Sequence, residues 1–120
     1  MKEEISRQCD RSRAISLLMA NDPMLLDFIL KPCRTALCAS PARLLREARC
    51  FSSGQQILVR TALDIWGDYG RVKLTDIVFR LDLVRLSSFL LAVEFLGFSS
   101  MPWLRDQRDD RLNRPSHENI

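Results

Sequence analysis

A chain of 120 residues that is 47% hydrophobic is long enough for one hydrophobic core and too apolar for a disordered segment. Four glycines and five prolines are too few for a turn-rich β-sandwich, and a net charge of +3 does not by itself imply nucleic acid. Fifteen of the 18 cations are arginine, which either genome composition or a need for guanidinium forks toward carboxylates and phosphates explains.

Residues 3–20 read as a helix with a polar first half, the apolar residues gathering late at Ala14, Ile15, Leu17, Leu18 and Met19. In "NDP", Asp22 is placed as a cap and Pro23 as the first helical residue of "MLLDFILK", which Pro32 stops. "CRTALCAS" is a connector with room for one helical turn. Ser40 and Pro41 repeat the cap-plus-proline signal and open "ARLLREARCF", where Leu44, Leu45, Ala48 and Phe51 form one stripe and Arg43, Arg46 and Arg49 the opposite one.

Ser53 with Gln56 matches a capping box and starts "GQQILVRTALDIW". Its polar residues Gln56, Arg60 and Asp64 recur every four positions, so one narrow stripe is expected to meet water and the helix to be central. After Gly67 and a tight turn, "RVKL" is expected to run extended. Thr75 is placed as the cap of a short helix carrying Ile77, Val78, Phe79 and Leu81, and Asp82 as the cap of "LVRLSSFLLAVEFL", closing at Gly97. That last helix is apolar nearly all round, which suits either deep burial or a subunit contact. The expected fold is therefore all-α: a compact bundle of five or six short helices over residues 1–102, followed by a charged polar tail over 103–120.

The order "QILVRTALDIW", "RVKL", "TDIVFRL", "DLVRLSSFLLAVEFLGF" resembles the helix-turn-helix and winged-helix proteins over residues 55–98. The resemblance implies a DNA-binding regulator whose recognition helix begins near Arg85, Ser87 and Ser88. The residues themselves argue otherwise. A reading helix presents polar side chains to base edges, whereas this one is apolar beyond Ser88 except for Glu94, and no second strand of a wing follows Gly97.

Residues 31–60 hold six cations (Lys31, Arg34, Arg43, Arg46, Arg49 and Arg60) against the single acid Glu47. Such a face suits phosphates or an acidic protein surface, or is simply a solvated helix face partly compensated by Glu47. Trp103, beside Pro102 and a charged tail, is the candidate exposed anchor, with packing onto the domain as its alternative. Leu86, Phe89, Leu90 and Val93 are the expected homodimer contact.

Catalytic and metal chemistry is weakly represented. The sole histidine, His117, lies in the polar tail, "GDYG" lacks the glycine span and following lysine of a phosphate loop, and "DIWGDYGRVKLT" puts Trp66 where calcium needs an oxygen. Cys9, Cys33, Cys38 and Cys50 lack the paired short spacings of a zinc site and are expected to be small buried thiols, reduced in a cytoplasm. No signal peptide or membrane span is read. Together these features point to a cytoplasmic, non-enzymatic protein without metal or cofactor. It would bind another protein as a small regulator, adaptor or inhibitor, of the kind common in bacteria and on phages or other mobile elements. Nucleic acid is the alternative partner.

Overall fold

The computed structural model describes residues 2–33 and 35–99, with side chains from Cys9 onward. The all-α expectation holds: among the described residues six α-helices follow one another, α1 (Lys2–Leu18), α2 (Pro23–Ile29), α3 (Pro41–Glu47), α4 (Ser53–Gly67), α5 (Leu74–Arg80) and α6 (Leu83–Ser99). A short 3-10 turn, Ala48–Cys50, extends α3, and there is no strand among the described residues. The predicted tail 103–120 lies outside them.

Helix α4 is the hub. It packs on α1, α2, α3 and α5, while α6 rests chiefly along α1. The core gathers Ile15, Leu18 and Met19 from α1 and its end, Leu25 and Ile29 from α2, and Leu44 from α3. Leu58, Val59 and Leu63 from α4, Ile77 from α5 and Ala92 and Phe95 from α6 join them. Phe28 and Phe51 meet edge to face at 5.1 Å between centroids, joining α2 to the α3–α4 corner. Arg13 of α1 stands over the Phe95 ring at 5.5 Å, covering the core with a cation on an aromatic face.

The helix ends refine the expected boundaries. Ser40 caps α3 as read, its hydroxyl accepting from the Arg43 N–H at 3.3 Å. The capping box of α4 is Ser52 with Gln55, one residue earlier than Ser53 with Gln56: Ser52 Oγ accepts from Gln55 N and Gln55 Oε1 accepts from Ser52 N. Gln56 instead donates to the carbonyls of Phe51 and Arg49. Helix α5 opens at Leu74 behind Lys73, so Thr75 lies inside the first turn and caps nothing. Asp82 does cap α6, accepting from Arg85 N at 2.8 Å. Gly97 does not close α6, which continues to Ser99. In the connector, Leu30 and Leu37 form an isolated antiparallel bridge, with Lys31 N donating to Ala36 O and Cys38 N to Ile29 O, and its described residues carry no helical turn.

The turn after α4 is clamped by a single carboxylate. Asp68, in the left-handed region at φ 65°, ends the helix, a conformation a short polar side chain tolerates. Asp64 then accepts three backbone N–H groups: Gly70 at 2.8 Å and Arg71 at 2.9 Å on Oδ1, Val72 at 2.9 Å on Oδ2. The expected extended run is broken at Arg71, where φ is 50°. The expected water-facing stripe is correspondingly narrower: Gln56 and Asp64 are half-buried against flanking chain, and only Arg60 is exposed.

Candidate functional site

The surface is most unusual at α5 and α6. Among the described residues, eight of the ten large apolar side chains left exposed lie between Leu74 and Val93. They arise from the packing already described. Helix α5 is amphipathic but short, burying only Ile77 while Leu74, Val78 and Phe79 point outward; Leu81, just beyond its end, is the other buried residue of this corner. Helix α6 is apolar around its circumference, yet α1 covers one side only. Ser88, Ala92 and Phe95 form its buried line, while Leu83, Leu90 and Val93 are turned away from it. Phe79 and Leu83, flanking the tight turn between the helices, are each 79% exposed. Scattered exposed apolar residues are ordinary on a protein; here they are concentrated on one pair of consecutive helices.

The predicted contact residues separate into two sets. Leu90 and Val93 are exposed, whereas Leu86 and Phe89 are half-buried and packed against the core. Leu86 still falls in the three-four-three spacing Leu83, Leu86, Leu90, Val93, whose other three members are exposed.

The opening turn of α6 is held from inside. The Arg85 guanidinium forks onto Asp22, Nη2 donating to Oδ1 at 2.7 Å and Nε to Oδ2 at 2.9 Å, and its Nη1 donates to Asp82 Oδ2 at 3.1 Å. The hydrogen bond to Asp22 holds the Arg85 pKa above its ordinary value. Asp22 thus departs from its expected capping role: its backbone precedes α2, but its side chain makes no cap hydrogen bond and is committed to Arg85. Next to this pair, Asn21 Nδ2 donates to Ser88 Oγ at 2.9 Å, and Ser88 Oγ donates to Val84 O at 3.3 Å. Arg85 and Ser88 are therefore engaged inside the fold, and only Ser87 of the three polar residues in this turn is exposed.

The arginine face is present as a surface feature. Arg43, Arg46 and Arg49 are all exposed opposite the buried Leu44 and Ala48. Arg43 Nε pairs with Glu47 Oε1 at 3.0 Å, an i,i+4 pair with both side chains about half in water, which fits partial compensation by that acid. Arg34 and Trp103 lie outside the described residues. Trp66 is half-buried against the core, and its carbonyl accepts from Arg11 Nη1 at 2.9 Å, so α1 helps close the end of α4.

The cysteines correct a second expectation. Cys9, Cys33, Cys38 and Cys50 are all free and exposed, not buried. Cys9 lies on α1, Cys33 and Cys38 in the connector between α2 and α3, and Cys50 at the end of the 3-10 turn, all at positions the core does not cover. The Thr35 hydroxyl donates to Cys33 Sγ at 3.1 Å and holds the thiol pKa below its ordinary value. Cys38 and Cys50 donate to the carbonyls of Asp27 and Glu47. Among the described residues no three His, Cys, Asp or Glu side chains gather as a metal site, and no helix is long and apolar enough to cross a membrane. Compared with known proteins, the chain matches no family model, no curated protein and no solved structure.

Proposed function

We propose that this chain is a small non-enzymatic protein-binding module, a regulator, adaptor or inhibitor, that acts through the surface formed by α5 and α6. The observation that carries the reading is the concentration of exposed large apolar side chains on these two consecutive helices, with Phe79 and Leu83 at its centre. Such a surface gains free energy by excluding water against another apolar surface, and aromatic residues contribute a large part of that gain. It is also pre-organised: the Asp22 fork and the Asn21–Ser88 bond fix the first turns of α6 before any partner arrives.

The protein-binding reading is preferred over a DNA-binding regulator because Arg85, the one cation in the opening turns of α6, is already shared between Asp22 and Asp82. Base readout from this helix would require breaking both pairs. A photoreactive phenylalanine analogue at position 79, irradiated in cells that make the protein, is expected to yield a covalent protein adduct. Absence of any such adduct, with a salt-sensitive shift of duplex DNA that Arg43→Ala, Arg46→Ala and Arg49→Ala together abolish, would replace this reading by the nucleic-acid one.

A further inference from the structure

We infer that the partner on this surface is a second copy of the chain, with two α6 helices meeting along the line of Leu83, Leu86, Leu90 and Val93. This rests on the reading of α5–α6 as a protein contact and names its occupant. Three observations point to a copy. The four residues are spaced three, four and three apart, the interval that keeps a seam of knobs facing an identical helix for two heptads. Gly97 continues the line at the next position, where even an added Cβ would meet nothing within 4 Å.

The second observation is area. Of the eight exposed apolar side chains from Leu74 to Val93, Leu83 (79%), Leu90 (57%) and Val93 (46%) lie on this seam, so it offers a narrow apolar strip along α6, at the small end of the range of specific interfaces. Burying it against a flat polar partner would recover little of the hydrophobic gain, whereas a copy brings an equal apolar area.

The third is charge. The seam itself carries none; Glu94 borders it, and the turn at its head holds both signs, Arg80 and Asp82, each mainly exposed and paired within the chain with Asp76 and Arg85. With the two α6 helices parallel about the two-fold axis their heads meet, and the cation of one protomer can face the acid of the other. A partner selected by a strong field of one sign would not be attracted to such a rim.

Sedimentation equilibrium of the whole chain, run from about 1 to about 100 µM, tests this. A reductant is needed because the four exposed thiols would otherwise cross-link copies. The mass is expected to approach twice 13.9 kDa. Leu90→Glu and, separately, Leu83→Glu are each expected to raise the dimer dissociation constant by ~100-fold or more, because the rotation places two carboxylates in one seam. Met24→Glu, equally exposed but off the seam, is expected to leave it unchanged. Circular dichroism checks that each variant folds; Leu83, at the helix start and 79% exposed, decides the matter if Leu90→Glu does not.

A wild-type chain that stays monomeric throughout the range overturns the inference. So does a dimer that both seam variants leave intact. A monomer whose position 79 still cross-links a different protein removes the second copy alone and leaves the protein-binding reading standing. A monomer that cross-links no protein and shifts DNA removes both.

Discussion

Asp22 and Arg85, 63 positions apart in the chain, are joined by a two-pronged hydrogen-bonded ion pair, 2.7 Å and 2.9 Å. The carboxylate side chain is only 8% exposed and the guanidinium 28%. The pair fixes the start of α2 against the first turn of α6, and with it the orientation of the exposed apolar surface. A buried carboxylate is tolerated here because a planar fork matches both its oxygens.

Replacing Arg85 with Met removes the fork and leaves Asp22 buried without its cation. Folding stability is expected to fall by about 2–4 kcal/mol, somewhat less than for a fully buried pair because Arg85 reaches water. Arg85→Lys, a point charge without the fork, is expected to recover only part of this loss. Urea unfolding measures both, and a double-mutant cycle with Asp22→Asn isolates the coupling. Equal stability of Arg85→Met and wild type would show that the pair orders the helices without stabilising them.

The helix α4 cap separates two adjacent serines. Ser52→Ala is expected to cost about 1 kcal/mol, because it removes the acceptor for the Gln55 N–H. Ser53→Ala, inside the first turn, is expected to change stability by less than ~0.5 kcal/mol. Thermal melts of the two variants suffice, and a reversed order would place the cap one residue later.

Gly70 and Gly67 make a similar contrast. A Cβ on Gly70 would stand 1.8 Å from the Arg60 carbonyl oxygen, which is helix backbone and unable to yield. Gly70→Ala is therefore expected to destabilise by about 2–4 kcal/mol and to loosen the three N–H groups held by Asp64. On Gly67 the added atom meets the Tyr69 ring at 2.7 Å, but Tyr69 is exposed and free to swing away. Gly67→Ala is expected to cost less than ~1 kcal/mol. Hydrogen exchange at Gly70, Arg71 and Val72 reads the loop directly, since loss of protection there in Asp64→Asn would parallel Gly70→Ala.

At Cys33 the Thr35 hydroxyl donates to sulfur, which favours the thiolate and sets the thiol pKa below its ordinary value. Thr35→Val removes the largest cause of that shift. The pH midpoint for alkylation of Cys33 is expected to move upward, so its labelling slows at any pH below that midpoint. Peptide mapping after iodoacetamide treatment follows Cys33 against Cys38 in the same molecule. An unchanged midpoint would assign the shift to the Thr35 backbone N–H instead.

What the linear order determined was the set of helices. Spaced apolar residues, the Asp22-Pro23 and Ser40-Pro41 steps and the alternation of buried and polar faces in α3 are local properties, governed by interactions within a few residues. The shifts of one and two residues at helix starts have local causes too. At α4, Ser52 and Ser53 are both good caps, and the choice fell to Ser52 because Gln56 is drawn back to the carbonyls of Arg49 and Phe51. At α5, Thr75 is a better intrinsic cap than Lys73, yet the Asp64 clamp delivers the chain to the helix two residues earlier.

Only the tertiary structure decided which apolar residues are covered. Leu83, Leu90 and Phe95 share one helix and one chemical character, so hydropathy cannot distinguish them. Phe95 is buried because α1 lies along that side of α6, while Leu83 and Leu90 remain exposed because no described element covers the other. The same holds for Asp22, whose position before a proline marks it as a cap until a guanidinium from the far end of the chain arrives and takes both its oxygens. Burial and long-range charge pairing depend on what is adjacent in space, and that adjacency is fixed by the packing of all the helices together.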